Sequence, residues 1–135
     1  MGAWGTGFFD DDTHCDFVAD IVETNTSPGF FGIYFDKATK EDYLGYDTGA
    51  GIIVCAALLD AIANKTPLDC YTEGIDNWLE RYKNVQVNNL KNTGAEALKK
   101  VISEESELNE LWMENEEEYP NWKANIIGLI ERLSN

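Results

Sequence analysis

The residues that could carry chemistry crowd near the start of the chain. Asp10, Asp11, Asp12, Thr13, His14, Cys15 and Asp16 run consecutively, and an imidazole, a thiol and four carboxylates so close together raise two possibilities, a metal site or a nucleophilic dyad. Tested as a calcium loop beginning at Asp10, the run puts Cys15 where glycine makes the sharp turn and Ile21 where a bidentate Glu closes the shell. The loop fails on both. Asp10, Asp12, His14 and Asp16 remain suitable donors for a transition metal, but acids at the positive end of a helix need no ion, since each gains about 0.3–1 kcal/mol from the dipole. N-capping is the favoured account, and neither a metal nor a cofactor is expected. His14 is the only histidine, so any Ser–His or Cys–His pair must use it, and Cys15 is too near in sequence for easy alignment. One histidine also cannot supply the two Glu-x-x-His motifs of a di-iron bundle. Among 25 acids no carboxylate pair is singled out for glycoside cleavage. No catalytic residue is assigned, and an enzyme is not expected.

A second acidic series lies near the other end. Glu107, Glu110, Glu114, Glu117 and Glu118 are spaced so that one continuous helix would put all five opposite Leu108, Leu111 and Trp112, with only Lys123 close behind to relieve their repulsion. They form either a solvated face or a surface kept acidic for a basic partner. Asp10, Asp11, Asp12, Asp16 and Asp20 make the matching cluster at the front.

The elements that must hold these residues are helical by their periodicity. An aspartate of the 10–12 cluster caps a first helix with Phe17, Val18, Ile21 and Val22 on one side. Ser27-Pro28-Gly29 breaks the chain, and the aromatic run from Phe30 to Phe35, ambiguous between strand and helix, is assigned to a short helix. Asp47-Thr48 are expected to cap the next helix, residues 48–63, in which Asp60 is the only polar residue from Ile52 onward and which must therefore sit in the middle of a bundle. Ile75, Trp78, Leu79 and Tyr82 mark a further helix. Leu90, Ala97, Leu98 and Val101 mark another, where Gly94 signals a close helix contact or an interruption. Leu108, Leu111 and Trp112, then Trp122, Ile126, Leu129, Ile130 and Leu133 after Pro120, give the last two. The expectation is one all-α domain over residues 1–135, a single compact bundle of about six helices.

The opening carries a resemblance. Met1-Gly2-Ala3-Trp4-Gly5-Thr6-Gly7, followed by Phe9, the Asp10-Asp11-Asp12 cluster and Asp16-Phe17-Val18-Ala19-Asp20, resembles the signature of a family of small, mostly bacterial proteins catalogued as domain of unknown function 4259. Tyr43-Leu44 before the apolar helix, and Ser106-Glu107-Leu108 through Leu111-Trp112, are similar to the family's middle and end. Gly45-Tyr46 departs from it, since members usually carry acids there. The resemblance implies no established activity and no catalytic residue. Physically, glycines around Trp4 allow a tight turn, so Trp4, Gly5, Gly7 and Phe9 are expected to form a structural N-terminal plug rather than a phosphate cradle, which would need a lysine and a preceding strand.

Charge bounds the partners. With 10 bases against 25 acids the net charge is −15, which argues against direct nucleic-acid binding and against anionic membranes. No apolar stretch reaches the roughly 20 residues of a membrane span, the longest being Ile52–Leu59. The first thirty residues hold six acids and no Lys or Arg, unlike a signal peptide. Cys15, Cys55 and Cys70 are odd in number and lack metal-site spacing, so a cytoplasmic protein is expected. Three function classes follow in order. The first is an acidic interaction domain binding a basic protein such as a toxin domain, as an immunity or antitoxin-like protein or a nucleic-acid mimic would. The second is a structural or regulatory helical module, acidic only for solubility, and the third a carboxylate-dependent hydrolase or metal enzyme.

Overall fold

A computed structural model of the chain describes residues 5–134. Among them are seven α-helices: α1 Asp12–Thr24, α2 Phe31–Lys40, α3 Tyr46–Ala63, α4 Ile75–Tyr82, α5 Lys91–Val101, α6 Glu107–Met113 and α7 Tyr119–Leu133, with short 3₁₀ turns at Pro28–Phe30 and Asn88–Leu90. The fold is all-α, with one helix more than expected. The aromatic run at 30–36 is helical because Ser27 caps the 3₁₀ turn that leads into α2, and Phe31 and Phe35, one turn apart, both point into the core.

The centre of the bundle is α3. Every residue from Gly49 to Asp60 is buried, and α1, α2, α5, α6 and α7 all pack against it. A helix without a polar face has no side to offer water, so surrounding it is the stable solution. It begins two residues earlier than the sequence indicates. Gly45 is the N-cap, and Asp47 lies in the first turn beside the dipole's positive end rather than capping it. The small residues on either side of Ile52–Leu59 extend the apolar run, so α3, at 18 residues and mean hydropathy 1.5, is long and apolar enough to cross a membrane by length and composition, although 72% of it is buried inside the bundle.

Gly94 marks close contact, not an interruption. A Cβ there would lie 3.2 Å from the Phe35 ring and 3.4 Å from Leu59 Cδ2, so α5 approaches α2 and α3 as nearly as backbone allows. At the far side Trp112 and Trp122 stack at 5.7 Å between centroids, joining α6 to α7.

The acidic run at 107–118 does not form one helix. After Met113 the chain turns: Asn115 Oδ1 accepts from the Glu118 amide at 3.1 Å, its carbonyl takes the Tyr119 amide, and Pro120 sits in the first turn of α7. An asparagine offering its side chain to the backbone two or three residues on competes with helix, and here it wins. The five glutamates therefore do not share a face.

Candidate protein-interaction surface

Three helix starts converge at one end of the bundle, and the acids gather there. A backbone tether sets two of them side by side: Leu44 N donates to Glu105 O at 2.8 Å and Glu107 N to Leu44 O at 2.9 Å, immediately before α3 and α6 begin. Ser106, fully buried, caps α6 through its hydroxyl, which accepts from Asn109 N at 3.4 Å.

Tyr46 links this pair to α1. Its amide donates to Glu107 Oε1 at 3.2 Å, and its hydroxyl donates to Asp11 Oδ2 at 2.5 Å. The other oxygen of Asp11 accepts from Thr13 N at 2.7 Å, so Asp11 is the N-cap of α1. Burial, then the Asp11 carboxylate, push the Tyr46 hydroxyl well above the ordinary tyrosine range and keep it a donor. The two acidic segments, about ninety residues apart in sequence, thus meet at one tyrosine.

The expected partner-binding acids divide into four groups. Asp11 is 4% exposed with both oxygens committed, so it belongs to the frame and is unavailable to a partner, a correction to its assignment as a surface acid. Asp12, Asp16, Asp20 and Glu110 are exposed, Glu107 is half-buried, and all lie on α1 or α6. Glu114, the C-cap of α6, lies one helical turn beyond Glu110, about 6 Å along the axis, and Glu117 and Glu118 sit on the turn that follows. Glu117 and Glu118 are a separate group. Asp10 accepts from Gly7 N at 3.0 Å, holds the opening segment and lines a cleft beside α7.

Asp16 and Asp20 line a groove of about 250 Å³ together with Asp47 of α3, Phe17, Tyr34 and Lys37. The Lys37 ammonium lies 4.6 Å from the centre of the Tyr34 ring, so an aromatic wall with carboxylates around it already holds one cationic side chain. Burial, with Cys55 and Asp47 nearby, raises the Tyr34 hydroxyl above its usual range. Asp47 joins these acids although its place in the first turn of α3 already accounts for an acid there.

The repulsion expected along α6 is relieved without lysine. Tyr43 donates to Glu110 Oε2 at 3.0 Å and Tyr46 N to Glu107, whereas Lys123 lies over the Tyr119 ring. Tyr43 and Met113 leave 45% and 54% of their surface exposed, giving the α6 face apolar as well as acidic contact area.

Of the N-terminal plug, Trp4 lies outside the described residues. Phe9 is buried and Phe8 packs against the core, while a Cβ on Gly5 or Gly7 would meet the Asp10 carboxylate at 2.5 or 2.8 Å. His14 is buried, not part of a charged surface: its Nδ1 lies 2.6 Å from the Phe8 carbonyl, and Nε2 has no partner among the described residues. Among the described residues no three of His, Cys, Asp and Glu gather in a metal-holding arrangement.

No curated protein and no solved structure matches the chain. A family model described as a domain of unknown function, DUF4259, matches residues 2–125, nearly the whole chain, and the chain belongs to that family.

Proposed function

We propose that this chain is an acidic interaction domain that binds a basic protein through the end of the bundle where α1, α3 and α6 begin, as a cytoplasmic immunity or antitoxin-like protein does opposite a toxin domain, or as a mimic of nucleic acid. The observation that carries it is the junction at Tyr46, which draws Asp12, Asp16, Asp47, Glu107 and Glu110 from three separate segments to one end. Aromatic area beside the carboxylates, from Phe17, Tyr34 and Tyr43, suits the stems and head groups of Arg and Lys. Complementary charge of this kind speeds encounter by about 10- to 1,000-fold and is screened beyond about 8 Å at physiological salt. The acids at helix starts, Asp12, Asp47 and Glu107, also support the plainer reading of a helical module whose acids serve stability and solubility.

Association with the basic product of a neighbouring gene, followed by stopped-flow at low and high salt, decides between them. Asp16→Lys, Asp47→Lys and Glu110→Lys together should slow association by at least about tenfold at low salt. Glu117→Lys with Glu118→Lys, on the turn beyond α6, should do much less. Association equally fast at both salt concentrations and indifferent to the triple reversal returns the solubility reading to first place.

A further inference from the structure

A cleft of about 220 Å³ opens on another part of the surface, between the opening segment, the C-terminal part of α3, the loop after it and α7. At its base lies the ion pair that the fold explains least. Asp60 is 2% exposed in an otherwise apolar stretch of α3, and it accepts from Arg132 Nε at 2.8 Å and Asn64 Nδ2 at 2.7 Å. Only the Nε–H of the guanidinium is used. Its two Nη groups have no hydrogen-bond partner among the described residues, the side chain is 41% exposed, and Arg132 lines the cleft. A buried carboxylate that fixes a guanidinium while leaving the outer part of its fork open presents a ready site for a planar carboxylate.

The rest of the lining narrows the ligand. Asp10 and Asp69 face the same cleft, and neither forms an ion pair among the described residues, so a multiply charged anion such as phosphate would meet repulsion. A carboxylate there needs a cation in the same molecule. Phe8, Phe9 and Leu68 supply an apolar wall. The volume, below the roughly 300–1,000 Å³ of drug-sized pockets, admits a molecule about the size of one amino acid.

We propose that the cleft binds a small zwitterion with an apolar side chain, an aliphatic α-amino acid, with its carboxylate on the free edge of Arg132 and its ammonium toward Asp10 and Asp69. This site is independent of the acidic end of the bundle. The test is titration of the full chain with leucine, 4-methylpentanoate and isoamylamine, followed by nitrogen–proton correlation spectra. Leucine should give saturable shifts at the amides of Phe9, Asp69 and Arg132, with each single-charge analogue at least about tenfold weaker. Asp69→Asn, an exposed substitution that leaves the fold intact, should weaken leucine several-fold and leave 4-methylpentanoate no weaker, since it also removes a charge that repels the carboxylate. Arg132→Lys, which keeps the charge and loses the fork, should weaken both. Absence of saturable shifts with leucine overturns the proposal, as does either analogue binding as tightly as leucine, or leucine binding that ignores Asp69→Asn.

Discussion

The hydroxyl of Tyr46 and the carboxylate of Asp11 are joined at 2.5 Å across 35 positions of sequence, and this bond carries both the fold and the candidate surface. Asp11 caps α1 with one oxygen and receives Tyr46 with the other, so the start of α1 is fixed against the start of α3. Because Tyr46 N also reaches Glu107, α6 joins the same corner. At this junction the carboxylates of Asp11 and Glu107 are held by neutral donors, the Tyr46 hydroxyl and amide.

Tyr46→Phe should therefore destabilise the protein by about 1.5–3 kcal/mol, because it strands one oxygen of a buried carboxylate that the tyrosine now satisfies. Urea unfolding followed by circular dichroism checks this. An unchanged midpoint would mean that water takes the place of the hydroxyl at no cost.

His14 makes stability depend on pH in a defined direction. Burial lowers its pKa below the usual 6.5, outweighing the raising effects of the Phe8 carbonyl and Asp11. The unfolded chain then binds a proton that the folded chain refuses, so stability is full above about pH 6.5 and is lost as pH falls below it, with a slope of at most about 1.4 kcal/mol per pH unit. Since this is the only histidine, denaturation curves between about pH 6.5 and 5 isolate it. The slope should vanish in His14→Gln; a native protein with no slope in that window would place His14 in water.

Much of this fold could be read from the sequence because period and composition act locally. The apolar run around Val54 leaves α3 no place but the centre, and Pro120 marks the start of α7. The acids at 107–118 fall into two segments because the stop after Met113 is an asparagine side chain turned onto the backbone, a weaker signal than Gly or Pro. The candidate site depended on pairings without any local pattern: nothing near Tyr46 announces Asp11, and nothing near Asp60 announces Arg132, 72 positions away. The burial of His14 has no signal among its charged neighbours in sequence, but one helical turn separates it from buried Val18.

Two glycines in helices should respond to alanine with opposite signs. A Cβ on Gly51 would come within 2.5 Å of Tyr34 Cε1 and 3.2 Å of Phe17 Cε2, and the Tyr34 ring is itself set edge-on against Phe17 at 5.0 Å. Overpacking of about 1–3 kcal/mol then exceeds the propensity gain of about 1 kcal/mol, so Gly51→Ala should lower the melting temperature. Gly128 meets only Arg132 Nη1, at an ordinary 3.5 Å, and Gly128→Ala should raise stability by up to about 1 kcal/mol. Paired calorimetric scans settle both; a stabilised Gly51→Ala would show that the Tyr34 ring swings freely into its groove.

The Asp60–Arg132 pair should prove necessary only to itself. Removing the cation by Arg132→Met leaves a carboxylate that is 2% exposed with Asn64 as its remaining partner, and stranding one member of a buried pair costs about 3–5 kcal/mol. The guanidinium is 41% exposed, so water reaches its side of the pair and the cost should fall below that range, at about 2–4 kcal/mol. Adding Asp60→Leu removes the stranded charge from a helix that is apolar on every other buried side, and the double variant should recover most of the loss or exceed the parent, since apolar replacements of buried pairs are often neutral or stabilising. Chemical denaturation of the two single variants and the double gives the coupling energy. If Arg132→Met alone is neutral, Asp60 is reached by solvent through the cleft; if the double variant stays as unstable as Arg132→Met, the pair positions α7 on α3 through geometry that no hydrophobic contact replaces.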